Sequence, residues 1–142
     1  MKKVVLLFIV IFSITLQAQT NKYAGTYEAT FDINNEGVIT YTLVLNPDGT
    51  FTFHNYRQID PSKPKENSYG KGSWIIEKDN TLCFFTNTST DIDDKYTIDF
   101  TNTKARYHTK SPRDKTDKMV KTKLHFYDSE IPWLKGWKLF KI

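Results

Sequence analysis

The sequence predicts an all-β domain, an antiparallel up-and-down meander that closes into a barrel of about eight strands. Apolar and polar residues alternate with a period of two in one segment after another, as half-buried strands require. Turn-forming residues separate these segments, and no window shows the i, i+3, i+4, i+7 pattern of an amphipathic helix. A two-sheet β-sandwich is the alternative. We favour the barrel because closure protects the edges of the strands best.

The first half of the predicted domain shows the alternation most clearly. Apolar side chains occupy every second position in residues 27–33, 39–45 and 51–53, so each segment is predicted to be a strand. Asparagine and glycine in residues 34–37 supply turn chemistry after the first strand. The next turn, "NPDG", ends in Gly49, which accepts the left-handed conformation at the exit of the turn.

The second half contains shorter strands and two long loops. We expect the loops at residues 58–70, which contain two prolines, and at residues 86–95, which are polar and acidic. The strand predicted at residues 105–107 is expected to join or extend the one at residues 96–100. All strands predicted in this half lie at residues 74–76, 82–84, 96–100, 105–107, 120–126 and 137–140.

The chain begins with "MKKVVLLFIVIFSITLQAQT", which has the three parts of a secretory signal. A charged start is followed by an apolar run at residues 4–16 and a small residue at Ala18. A membrane anchor is the alternative, but about 20 apolar residues are needed to cross a bilayer and this run is shorter. We therefore expect a signal peptide at residues 1–18 and one domain at residues 19–142, exported to the periplasm or the exterior, with no transmembrane segment in the mature chain. Its only cysteine is Cys83, so no intramolecular disulfide is possible.

A basic segment stands out in a chain of modest net charge. The formal charge of +4 includes two lysines of the predicted signal, so the mature chain is only mildly basic. Between residues 104 and 123, eight bases oppose two acids, and such a segment could contact phosphates or an anionic membrane surface. We favour a solvated hairpin loop, and we expect no nucleic-acid binding because only Tyr107 offers a ring for stacking. The eight bases are Lys104, Arg106, Lys110, Arg113, Lys115, Lys118, Lys121 and Lys123.

Two stretches carry a resemblance to a known family. "YTLVLNPDGTFTF" followed by "GKGSWIIEKDNTLCFF" resembles the small secreted lipocalin-like (calycin-type) domains of bacteria. In those domains a strand leads into an Asp-Gly-Thr-Phe turn, and a Gly-x-Trp strand, a short turn and an alternating apolar strand follow. The resemblance covers residues 23–85 and rests on turn and core residues. It implies a lipocalin-like barrel that acts as a binder or an assembly accessory.

No arrangement in the sequence points to catalysis or to a metal. The three histidines are far apart, and His54 and His125 fall on the polar sides of their strands, which favours exposed histidines over metal ligands. Cys83 has no basic partner nearby, so we expect a quiet, partly buried thiol. The acidic residues 91–94 lack the glycine and the bidentate glutamate of a calcium loop. Because motifs for hydrolysis and phosphate binding are also missing, we expect a protein that is not an enzyme and uses no cofactor.

The inward rows of side chains allow two functions. Four of these side chains could line an apolar pocket or fill the barrel solidly, since eight strands leave a barrel only just wide enough to be packed. A pocket would bind a small apolar ligand that enters between the two predicted long loops. A packed barrel would instead dock a cell-envelope protein through its exterior or the basic segment, and the lack of surplus small inward residues slightly favours docking. The four pocket candidates are Tyr41, Phe53, Trp74 and Phe84.

Overall fold

Eight of the nine strands in the described part of the chain form a closed antiparallel barrel. A computed structural model describes residues 20–142, and the predicted signal peptide at residues 1–18 lies outside this range. The strands are β1 (Gly25–Ile33), β2 (Gly37–Leu45), β3 (Thr50–Gln58), β4 (Glu66–Glu77), β5 (Thr81–Phe85), β6 (Tyr96–Ile98), β7 (Thr103–His108), β8 (Lys123–Asp128) and β9 (Lys138–Lys141). The barrel closes where β9 pairs with β1, and β6 is the strand outside it. The predicted all-β barrel is confirmed, and the sandwich does not form.

The barrel interior is filled by the inward rows that the alternation predicted. Phe51 lies at the centre of an aromatic cluster, with its ring centroid 5.2 Å from Phe84 and 5.0 Å from Phe100, both edge-on. Each such side chain contributes about 1.5–3 kcal/mol by leaving water, and burial is the source of stability open to a chain without a disulfide. The largest fully buried side chains are Trp74, Tyr27, Phe51, Phe53, Phe84, Phe100 and Phe126.

One end of the barrel is closed by hydrogen-bonded aromatic side chains, and we call it the sealed end. A helical turn before β1 ends at Tyr23, whose hydroxyl donates a hydrogen bond to Asn80 Oδ1 at 2.7 Å. The buried Tyr27 hydroxyl donates to the backbone carbonyl of Tyr23 at 2.6 Å. Trp74 Nε1 donates to two backbone carbonyls of the turn at residues 46–50, at 3.2 and 3.0 Å, which ties the "NPDG" turn to β4. These bonds satisfy the polar tips of three large buried rings.

Strand β4 is longer than predicted, and the loop before it is correspondingly shorter. The sequence predicted a loop at residues 58–70, but β4 begins at Glu66 and pairs with β3 along its first half. That prediction was wrong because the inward positions of this half carry small residues such as Ser68 and Gly70, which hide the alternation. A Cβ on Gly70 would lie 2.7 Å from Phe100 Cε2, so the missing side chain makes room for that ring.

Two later strands also differ from the prediction. Strand β6 does not join or extend β7; it pairs in parallel with β4, because the chain turns after it and inserts Phe100 into the core. Strand β8 begins at Lys123 rather than at residue 120. Its partner β7 ends at His108, which pairs with Lys123, so the residues before Lys123 lie beyond the end of β7. Val120 is accordingly exposed.

Candidate functional site

The barrel end opposite the sealed end contains a cleft, and we call this end the mouth. The β1–β2 turn, the β3–β4 loop and the segment at residues 129–137 between β8 and β9 meet there. The cleft has a volume of about 350 Å³. It is lined by Asn55, Arg57, Glu66, Asn67, Ser68, Ile98 and Trp133.

Strands β3 and β4 position the polar side chains of the cleft. The inward row of β3 runs from the buried Phe53 through Asn55 to Arg57, so it changes from apolar to polar as it approaches the mouth. On β4, Ser68 lies directly opposite Asn55, and Glu66 lies opposite Arg57. Because alternate side chains of a strand share one face, a row that begins in the core ends in amide and charged groups around one cleft.

Two polar atoms of this row are buried without a hydrogen-bond partner in the described part of the chain. They are Asn55 Oδ1 and Arg57 Nε. Asn55 is only 7% exposed. Arg57 Nε lies 3.9 Å from Glu66 Oε2, which makes an ion pair but not a hydrogen bond, and both side chains are partly exposed. A buried polar atom left unpaired costs about 1–3 kcal/mol, so these two atoms call for an explanation.

Tyr41 adds a third polar group beside the cleft. The residue is buried, and its hydroxyl makes no hydrogen bond to another described residue. Burial raises the pKa of Tyr41, while the positive charge of Arg57 acts in the opposite direction. The phenol therefore stays protonated at neutral pH, and it lies close enough to Arg57 to sense the guanidinium charge. Tyr41 does not itself line the cleft, but its ring contacts Trp133, which does.

Trp133 provides the apolar wall of the cleft. Its ring centroid lies 5.4 Å from Tyr41 and 6.1 Å from Phe53, and the residue remains 37% exposed. The segment that carries it is anchored by the buried Leu134, and Gly136, at φ 92°, permits the turn that returns the chain to the barrel. The segment thus folds over the mouth and presents one face of an indole ring to the cleft.

The structure divides the four predicted pocket residues. All four belong to the buried core cluster. Tyr41 and Phe53 end beside Trp133 at the mouth, whereas Trp74 bonds to a turn of the sealed end and Phe84 lies among the core rings. None of the four is among the residues that line the cleft.

Sequence reasoning missed the polar residues of the cleft, although a signal for two of them was present. Asn55 and Arg57 share the strand phase of Phe51 and Phe53, so they are polar residues at core positions. Such positions are informative because a polar side chain is rarely buried without a partner or a function. Trp133 had no comparable signal, because its place depends on how its segment crosses the mouth.

The eight predicted basic residues lie partly on the barrel wall and partly in one loop. Lys104 and Arg106 lie on β7, and Lys123 begins β8. Lys104 Nζ is 3.6 Å from Glu77 Oε2, and the Arg106 guanidinium lies 5.2 Å from the centre of the Tyr127 ring. The loop at residues 109–122 carries the others, which are Lys110, Arg113, Lys115, Lys118 and Lys121.

The cysteine, histidine and acidic residues considered in the sequence also have defined surroundings in the structure. Cys83 is buried, and burial, followed by the nearby Glu77, raises the pKa of its thiol to about 11, so the thiol stays protonated. His54 stacks on Tyr69 with ring centroids 4.6 Å apart. Asp93 accepts hydrogen bonds from the backbone of its own loop. Among the described residues, no group of three or more His, Cys, Asp or Glu side chains is placed to hold a metal ion.

Comparison of the chain with protein-family models, with curated proteins and with solved structures found no match. The barrel and its mouth are therefore interpreted from their own geometry. No helix within residues 20–142 combines the length and the apolar character needed to span a bilayer.

Proposed function

We propose that this chain is an exported, non-enzymatic binding module, a lipocalin-like barrel that holds a small amphipathic molecule at its mouth. One observation carries the proposal: Asn55 Oδ1 and Arg57 Nε are buried without a hydrogen bond within residues 20–142, and both residues line one cleft. Folding does not favour two such atoms unless a guest or solvent completes their hydrogen bonds. The cleft, at about 350 Å³, falls at the small end of the range of ligand sites.

The chemistry of the cleft specifies the guest. Arg57 is a charged donor, and it favours a carboxylate or a similar anionic head group. The Asn55 amide can accept or donate a hydrogen bond to a second polar atom of the same head. Trp133 and Ile98 offer apolar surface for a ring or a short chain. These groups hold a guest, and the cleft contains no pairing of a nucleophile with a base that would transform it.

The proposal can be tested with a dansyl-labelled fatty acid and its methyl ester. We expect the acid to bind the mature chain with saturable fluorescence enhancement and more tightly than the ester by about tenfold or more, because a hydrogen bond to a charged group contributes about 1.5–3 kcal/mol. Arg57→Met should remove this preference while keeping most of the side-chain volume. Titration of both probes against both proteins measures the effect.

Arg113→Met is the matched control, since it removes the same charge from the exposed loop that lies away from the mouth. It should leave the preference for the acid unchanged. Equal affinity for acid and ester in the unmodified protein would contradict the proposed role of the mouth, and so would the absence of binding by either probe.

Docking of a cell-envelope protein is the second candidate function, and one feature of the exterior favours it. Ile75 and Phe85 face outward from β4 and β5 and are 50% and 43% exposed. Their cross-strand partners are Cys83 and Ser73, so the two apolar side chains are diagonal neighbours on one outer surface. Exposed apolar side chains grouped in this way are typical of protein contact surfaces.

The docking function can be tested separately from the mouth. A partner captured from envelope extract by the mature chain should be lost with Phe85→Ser and kept with Phe140→Ser, which removes a similarly exposed ring from β9. The interaction should then be reproduced with the purified partner. Retention of the same partner by the Phe85→Ser protein would rule out this surface.

A further inference from the structure

The outer surface of β7, β8 and β9 is basic across all three strands. Arg106, His125 and Lys138 are cross-strand partners in one row, and His108 and Lys123 are partners in the next. We call these five residues the basic face. The four ion pairs among residues 20–142 involve other cations, so no residue of the basic face forms an ion pair with a described carboxylate.

Partial burial and the positive charge of the basic face lower the pKa values of His108 and His125. Their ring centroids are 6.3 Å apart. The pKa of His108 is lowered by partial burial and then by Lys123, His125, Arg106 and Lys138. The pKa of His125 is lowered by partial burial and then by Lys138, Lys123 and Arg106. These are the charged groups that face the two rings from β7, β8 and β9, and each of them is basic.

The loop at residues 109–122 continues the basic face beyond the sheet. It starts after His108 and ends before Lys123, and it carries five bases against two acids. Its base is fixed to the barrel, because Lys141 N donates to the Thr122 carbonyl at 2.9 Å and the hydroxyls of Thr109 and Thr122 lie 3.0 Å apart. The five bases of the loop therefore lie next to the basic face, at a position that these hydrogen bonds fix beside β9.

An exposed apolar pair lies within this basic loop. Met119 is 95% exposed and Val120 is also exposed, and lysines flank them at residues 118 and 121. Short apolar groups surrounded by basic side chains are suited to the boundary between lipid head groups and acyl chains, where the lysine stems remain in apolar surroundings and their ammonium groups reach phosphate. An exposed methionine between lysines has no such use against a water-soluble polyanion.

We propose that the basic face and the 109–122 loop form a docking surface for an anionic lipid bilayer. Lipid phosphates would lie against Arg106, Lys123 and Lys138, and Met119 and Val120 would enter the head-group boundary. Nucleic acid is a poorer occupant, because this surface has few free rings for stacking: Tyr107 is buried and Tyr127 lies beneath the Arg106 guanidinium, which leaves Phe140, the exposed cross-strand partner of Lys123. An anionic bilayer attracts each nearby Lys or Arg enough to change the affinity roughly fivefold.

Co-sedimentation of the mature chain with vesicles tests the proposal. We expect binding to vesicles of equimolar phosphatidylcholine and phosphatidylglycerol, little binding to phosphatidylcholine alone, and weaker binding as the salt concentration rises. Lys115→Glu with Lys118→Glu should lower the partition coefficient by about 25-fold or more. The matched control is Lys63→Glu with Lys65→Glu, which makes the same charge change in the exposed β3–β4 loop at the mouth and should have little effect.

Two further variants separate the apolar and the histidine contributions. Met119→Ser should weaken vesicle binding, whereas Ile59→Ser, at an exposed apolar residue near the mouth, should not. Binding to the anionic vesicles should strengthen as the pH falls below about 6.5, because His108 and His125 gain charge on the basic face. The double variant His108→Gln, His125→Gln should lose this pH dependence and keep the salt dependence.

Three results would overturn the proposal. The first is equal binding to neutral and anionic vesicles. The second is an equal loss for the mouth-loop and basic-loop charge reversals, which would mean that net charge alone is responsible. The third is binding to soluble polyglutamate without binding to anionic vesicles, which would assign the surface to an acidic polymer. Arg57→Met should leave vesicle binding unchanged, so the outcome does not depend on the proposed function of the mouth.

Discussion

The two ends of this barrel are built from the same alternating rows but differ in how their polar atoms are satisfied. At the sealed end, the tips of Tyr23, Tyr27 and Trp74 all donate hydrogen bonds within the protein. At the mouth, the rows continue into Asn55 and Arg57, which keep buried atoms without partners. The difference indicates that the sealed end supplies stability, while the mouth gives up some stability in exchange for groups that a guest can use.

The largest expected effect is at the sealed end. Trp74→Ala removes a fully buried ring and both of its hydrogen bonds, so we expect the free energy of unfolding to fall by about 3–5 kcal/mol. Trp133→Ala at the mouth should cost less than about 2 kcal/mol, because that ring is already partly in water. Urea denaturation of both variants measures the contrast. Equal losses would mean that the two ends do not differ in this way.

A smaller effect tests the hydrogen bonds of the sealed end alone. Tyr27→Phe keeps the ring but leaves the Tyr23 carbonyl without its donor, so we expect a loss of about 1–2 kcal/mol in the free energy of unfolding. Tyr56→Phe, which removes a less buried hydroxyl on β3, should change stability by less than about 0.5 kcal/mol. If the two variants were equally stable, the bond between Tyr27 and Tyr23 would contribute nothing to sealing that end.

At the mouth the expected sign is reversed. Asn55→Leu replaces an unpaired amide with an apolar group of similar size, so we expect the free energy of unfolding to rise by about 1 kcal/mol. The same variant should bind the dansyl-labelled acid more weakly. Asn67→Leu is the control, because its amide already pairs with His54 at 2.8 Å, and no gain is expected there. A destabilised Asn55→Leu protein would show that the amide has a structural role.

The smallest expected effect is a dependence of stability on pH. His108 and His125 have lowered pKa values in the folded chain, so the unfolded chain takes up protons first as the pH falls. Stability should be complete above about pH 6.5 and should decline as the pH falls below it toward the folded-state pKa values. Denaturation midpoints measured through this window should shift in the unmodified protein and not in the His108→Gln, His125→Gln double variant.

The sequence predicted best the part of the fold where each inward position is apolar. Strands β1 and β2 and the turn at Gly49 follow directly from that pattern and from turn chemistry. The first half of β4 was missed because Gly70 faces the ring of Phe100, which arrives from a distant part of the sequence. A pattern within one segment cannot report that a neighbour supplies the missing volume.

The candidate site was the least predictable feature for a related physical reason. The core phase of Asn55 and Arg57 was visible in the sequence, but whether a polar side chain finds a partner depends on the opposite strand and on the segment over the mouth. The basic residues were visible in the sequence as a run along the chain. That His125 and Lys138 belong to the same basic surface could be recognised only from the register of three strands.

The solid aromatic interior between the two ends has a thermodynamic consequence. Rings packed from Phe53 through Phe100 and Phe51 to Phe84 form one continuous interior, and we do not expect a closely packed interior to offer two alternative arrangements that both ends could share. Binding of a guest at the mouth should therefore not change the affinity of the other end for a bilayer, and bilayer binding should not change the affinity for the guest. A protein anchored to a bilayer through the 109–122 loop should therefore bind a guest at its mouth with the same affinity as a protein free in solution.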